Sequence, residues 1–266
     1  MGGRVGRAWV TGAMAVAALV PAACAEDTVR LRFVPATGER AEYRIEVRAE
    51  SVTAIGGGEA RRAVDRTVLM ARHEVLESDG DGSTVEVHLS ERDGPASAFL
   101  VRLDGRGRPV EVRQTGGAAA TADLGLSELF PGAAGVPPGR DLAPGDRWAI
   151  DAPVALAAPV PARLAGEGRL VALEAAGGRR LARVHSDYRL PVRRHADGDA
   201  GRLELDGSLA TTARVAYDLD DAVVHSVRAR TTGRYRLTLL PPDGVGGVPV
   251  AGTLALDVES TTRRVG

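Results

Sequence analysis

The sequence contains no lysine, no asparagine, one glutamine (Gln114) and one cysteine (Cys24). A single cysteine excludes an internal disulfide and a multi-thiolate metal centre. Without asparagine there is no N-glycosylation, and turns must be signalled by Asp-Gly, Gly-Gly and proline. All basic side chains are arginine, which we read as the coding bias of a GC-rich genome and not as anion recognition. There are 34 of them against 35 acids. That balance provides no basic excess to neutralise a phosphate backbone, and the sequence shows no local basic run, so nucleic acid is not an expected partner. Aromatics make up only 3%, leaving a core to be built from Val, Leu and Ala. No stretch after residue 25 reaches 18 uninterrupted apolar residues, so no helical membrane span is expected there.

With 266 residues, 44% of them apolar, the chain has enough apolar surface for a packed core. Residues 1–25 read as a secretory signal peptide: Arg4 and Arg7, then an apolar run from Ala8 to Val20, then Pro21-Ala22-Ala23-Cys24-Ala25. That run would rise only about 20 Å as a helix, short of the roughly 30 Å hydrocarbon core. Two processing readings stay open. Ala23 and Ala25 fit the small-residue positions of an ordinary cleavage site before Glu26. Alternatively, Ala22-Ala23-Cys24 resembles the end of a bacterial lipobox, which would leave Cys24 as a lipidated N-terminus, although Pro21 stands where Leu is usual. Either way the protein is expected to be exported, periplasmic or extracellular, without a membrane span.

Residues 26–266 alternate apolar and polar side chains from end to end, the imprint of strands with one buried and one wet face. Val29 to Phe33 and Ala41 to Ala49 open the series. Strands follow around residues 66–76, 84–90, 98–103, 110–113, 148–150, 163–174, 181–190, 202–217, 222–240 and 253–260. Asp-Gly pairs mostly fall between them. One short helix is expected over Ala122 to Phe130. The expected fold is therefore mainly β: a strongly curved antiparallel sheet or open barrel in a single domain. It would have two weakly similar halves, about 28–117 and 143–260, and a crossing segment 118–144. Three matches suggest the repeat: Gly38-Glu39-Arg40 before Tyr43 with Gly145-Asp146-Arg147-Trp148, Val75-Leu76-Glu77 with Ala172-Leu173-Glu174, and Leu100 to Val112 with Val215 to Val227. The apolar rows of 202–217 and 222–240 predict a hairpin with Tyr217 opposite Val223, Leu205 opposite Tyr235, and Gly207 opposite Gly233, the two glycines marking a crease.

No motif nominates an active site. Asp79-Gly-Asp81-Gly lacks the later acid of an EF-hand loop and reads as a turn. Asp218, Asp220 and Asp221 could hold a hard cation, but charged loop tips are ordinary. His73-Glu74-Val75-Leu76-Glu77 misses the second histidine of a zinc-protease motif, and Gly125-Leu126-Ser127-Glu128-Leu129 lacks the second glycine of a nucleophile elbow. His225 shares a face with Val223 and Val227, where a buried ring would need a partner. No metal or cofactor is implied, and an exported hydrolase is the least favoured of three readings. Pro144-Gly145-Asp146-Arg147-Trp148 is the most distinctive local signal. With Leu129-Phe130-Pro131, Pro137-Pro138 and the early Gly38-Glu39-Arg40, it resembles a family of uncharacterised exported bacterial β proteins and lipoproteins with a Pro-Gly-Asp-x-Trp turn. That resemblance brings no catalytic residues with it. At the level of fold, the pattern is similar to the open-barrel carriers that move lipids or lipoproteins between membranes, which implies an apolar ligand or lipidated partner held in a curved sheet. The other reading is a structural or protein-interaction module with a solid core.

Overall fold

In the computed structural model, the described residues are 28–33, 35–91, 96–116, 137–154, 162–198, 201–241 and 247–265. The signal peptide with Cys24, and the helix expected over Ala122 to Phe130, lie outside them. Eleven strands account for nearly all the rest: β1 (Arg40–Ile55), β2 (Arg61–Ser78), β3 (Gly82–Glu91), β4 (Ser97–Asp104), β5 (Pro109–Gly116), β6 (Arg147–Val154), β7 (Ala162–Ala176), β8 (Arg179–Gly198), β9 (Gly201–Asp218), β10 (Val223–Leu240) and β11 (Val250–Arg264). They form one antiparallel sheet in the order β5-β4-β3-β2-β1-β11-β10-β9-β8-β7-β6, not closed into a barrel. Val29 to Phe33 is not one of these strands. It makes only an isolated bridge from Val29 to Leu142, because Leu31 packs into the core beside Leu142 without running along a partner.

Opposed residues share a face, so the pairings trace each face across the sheet. One row runs Leu170–Val184–Val215–Val227–Thr262–Ile45–Leu69 over seven strands, and none of its members is more than 5% exposed. The two apolar clusters, one on β1–β4 and one on β6–β10, lie on this same inner face. The neighbouring row on the other face reads Arg169–His185–Arg214–Arg228–Thr261–Glu46, and cross-strand ion pairs such as Arg230–Asp257 and Arg72–Glu42 cover that surface. Adjacent backbones approach one another closely in places. A methyl group on Gly82, Gly166 or Gly207 would land on a carbonyl oxygen of the adjacent strand.

The two halves repeat the same structure in detail. The Gly38 N–H donates to Val75 O and the Val75 N–H to Glu39 O; likewise the Gly145 N–H donates to Leu170 O and the Leu170 N–H to Asp146 O. Both glycines have positive φ. A bulge follows each tether, at Leu76 and at Val171, and a second lies at Val110 and at His225. Asp104 and Asp218 each use one Oδ1 to accept two backbone N–H groups of the next turn. Five strands per half are thus equivalent in order, and β11 joins the halves by pairing with both β1 and β10. Two of the expected matches are corrected: Val75 corresponds to Leu170 and not to Ala172, and Leu100 to Arg214 and not to Val215, because bulge position and hydrogen bonding fix the equivalence where similar letters do not.

The hairpin of β9 and β10 also departs from the expected register by one pair. Tyr217 lies opposite Val224, Leu205 opposite Leu237, Gly207 opposite Tyr235, and Gly233 opposite Leu209. The four-residue tip shifts the ladder by one residue and the extra residue His225 by one more, so that from Val227 opposite Val215 onward odd residues again face odd residues. Gly207 and Gly233 are diagonal neighbours, and the Tyr235 ring lies over both, so close that a Cβ at Gly233 would come 2.8 Å from Cε2.

Candidate functional site

The inner face is filled at one end and open at the other. Near the Asp218 turn, rows of Val, Leu and Ala are fully buried. Tyr43 there donates from Oη to Val224 O across β11, at 3.1 Å, and burial pushes its hydroxyl pKa up. A paired Thr211–Thr231 contact, Oγ1 to Oγ1 at 2.8 Å, marks the boundary. Beyond it β8 to β11 continue past the closely packed core. Leu205, Leu209, Leu239, Leu254 and Leu256 are only partly covered, and Leu203 is 39% exposed. Strand periodicity alone assigns these leucines to the core face; only the differing reach of the strands shows that they are left incompletely covered.

The Pro-Gly-Asp-x-Trp segment is an anchoring turn. The Asp146 carboxylate is held below the usual range by the Arg140 guanidinium and by the Ala143 N–H. Arg140 also donates to Arg147 O, and the Trp148 ring covers Gly168 so closely that no Cβ fits there. Gly145, Asp146 and Trp148 therefore fix the entry of β6.

The acids at the β9–β10 tip do not form a cation site. Asp218 is buried, its Oδ1 accepting the N–H groups of Asp220 and Asp221 and its Oδ2 bound by Arg179. Asp221 is held low by Arg179 and then Arg264, and Asp220 by the backbone N–H and guanidinium of Arg180. All three carboxylates already accept hydrogen bonds from arginine side chains or backbone N–H groups. Asp79 Oδ1 accepts the N–H groups of Asp81 and Gly82, an ordinary turn. Among the described residues no three His, Cys, Asp or Glu converge as metal ligands.

His225 does not point into the core. As the bulge residue of β10 it lines a cleft on the polar face, of about 810 Å³, together with His185, Arg214, Arg228 and Arg263. The sequence shows no basic run because these residues are far apart in the chain. Adjacent strands bring them together.

No family model matches the chain, and no curated protein does. Among solved structures, the outer membrane protein OprG from Pseudomonas aeruginosa aligns over 86% of this chain and 98% of its own, at 7% identity and a TM-score of 0.23. A superposition that loose supports no conclusion about function.

Proposed function

We propose that this is an exported, non-enzymatic envelope protein that holds an acyl chain, free or as part of a lipidated partner, against the open end of its inner face. The observation behind it is the row of partly covered leucines, Leu203, Leu205, Leu209, Leu239, Leu254 and Leu256, continuous with the buried core. A chain of methylenes laid along them would gain about 0.8 kcal/mol for each one buried. The leader-like residues 1–25 support export. The distribution of polarity is the reverse of a lipid-facing barrel, whose apolar band faces outward: here the apolar rows are buried and the ion pairs exposed. Delipidated protein should take up a fluorescent fatty acid saturably, and Leu256→Glu should abolish uptake without altering the β-sheet circular dichroism. Absence of saturable uptake by the wild type would refute the reading, leaving a structural or interaction module. Mass spectrometry of the mature N-terminus distinguishes a lipidated Cys24 from cleavage before Glu26.

A further inference from the structure

Each half uses its bulges to open a cleft on the polar face, and the two clefts differ in charge. The first, about 440 Å³, is lined by Glu77, Thr84, Arg102, Glu111 and Arg113 among others. Its acids and bases alternate. The second, about 810 Å³, is lined by Val171, His185, Arg214, Ser226, Arg228 and Arg263 among others. The ladders make the positions equivalent: Arg102 opposes Glu111 as Ala216 opposes Ser226, Leu100 opposes Arg113 as Arg214 opposes Arg228, and Glu86 opposes Leu100 as His185 opposes Arg214. At the acidic positions Glu77, Glu86 and Glu111 the second half has Ala172, His185 and Ser226. Where the first row reads Glu74–Glu86–Leu100–Arg113, the second reads Arg169–His185–Arg214–Arg228.

The bases of the second cleft are not all neutralised from within. Arg183 pairs with Glu174, Arg264 with Glu39 and Asp221, and His185 Nε2 stands 3.6 Å from Asp187 Oδ2. Arg214, Arg228 and Arg263 make no ion pair or side-chain hydrogen bond among the described residues. Arg214 and Arg228 are nevertheless directly opposed, an arrangement that destabilises a bare sheet. An oxyanion between them would reverse that cost, since guanidinium forks bind phosphate oxygens in bidentate fashion. Val171, 50% exposed at its bulge, gives the cleft an apolar wall.

We propose that this cleft binds a phosphate ester, its phosphate held by Arg214, Arg228 and Arg263 beside the Ser226 hydroxyl and its organic part against Val171. The phosphate could belong to a soluble ester or to a phospholipid headgroup. Calorimetric titration of the full mature protein with phenyl phosphate at low salt tests the first source, and co-sedimentation with phosphatidylglycerol against phosphatidylcholine vesicles tests the second. Binding in either assay supports the site and identifies the source. Ser226→Glu, which places an acid where the first half has Glu111, and Arg214→Gln should each weaken that binding about tenfold or more. Arg113→Gln, in the equivalent but charge-balanced cleft, should change it less than about twofold. The proposal fails if neither phenyl phosphate nor phosphatidylglycerol binds, if binding survives both Ser226→Glu and Arg214→Gln in folded protein, or if Arg113→Gln weakens it equally. The cleft lies on the face opposite the leucine row, so its failure leaves the acyl-chain reading untouched.

Discussion

Ala222 has a φ of 54°, the only positive value among described non-glycine residues, and its counterpart in the first half is Gly107 at 76°. A Cβ in this left-handed region costs roughly 1 kcal/mol. Ala222→Gly should therefore raise the stability of the protein by up to about 1 kcal/mol, read as a higher urea midpoint with an unchanged slope. A second residue, His73, sets a pH dependence. Its Nε2 is buried without a hydrogen-bond partner, its ring lies 4.9 Å from that of Tyr43, and burial pushes its pKa down to about 4. The unfolded chain takes up this proton near pH 6.5. Between those values the unfolded state binds more protons, so stability falls as pH drops from about 6.5 to about 4, by up to ~3 kcal/mol. Urea midpoints measured across that range should fall less steeply for His73→Phe than for the wild type.

At the scale of the element, the halves solve one packing problem in two ways. Ala41 opposes His73 in the first half; in the second, the equivalent pair is Trp148 over Gly168. The large side chain changes strand while the pair keeps one large and one small member, as a close-packed interior requires. Gly168→Ala should consequently cost about 1–3 kcal/mol by driving a methyl into the indole. In a Trp148→Ala background the same change should cost much less, a coupling that a double-mutant cycle measures directly. Additive costs would mean that the ring does not depend on the glycine. The bulges belong to this scale too. They account for the exposure of Leu76, Val110 and Val171, three of the larger apolar residues on the surface, because an extra residue in one strand turns its side chain outward.

For the molecule as a whole, the decisive element is β11. It is the last strand in the chain yet it lies in the middle of the sheet, and Tyr43 reaches across it to Val224. Each apolar cluster belongs mainly to one half, and β11, paired with both β1 and β10, connects the halves in one sheet. Tyr43→Phe should lower stability by about 1 kcal/mol, with far-ultraviolet circular dichroism and Trp148 fluorescence shifting together. Separate transitions would show that the halves unfold independently. Because β1 and β11 pair residues from opposite ends of the chain, folding should be slow relative to local hairpins.

Strand existence was legible with one strand too many, at Val29 to Phe33, where the chain makes only an isolated bridge. Period-two alternation located all eleven strands, since each needs one apolar edge to bury, and the Pro-Gly-Asp and Asp-Gly signals marked turns that hydrogen bonding confirms at Asp79, Asp104 and Asp146. Registers were less legible. The β9–β10 pairing and the Val75–Leu170 equivalence depend on bulges, and a bulge is one extra residue whose position alternation does not mark. The charged cleft was hidden altogether: Arg214, Arg228 and Arg263 become neighbours only through ladders between β9, β10 and β11. Alternation thus marked which side chains can turn toward the core, because hydrophobic transfer acts on each residue by itself. Which residues meet was settled by strand pairing, because proximity between distant parts of a chain belongs to the assembled sheet.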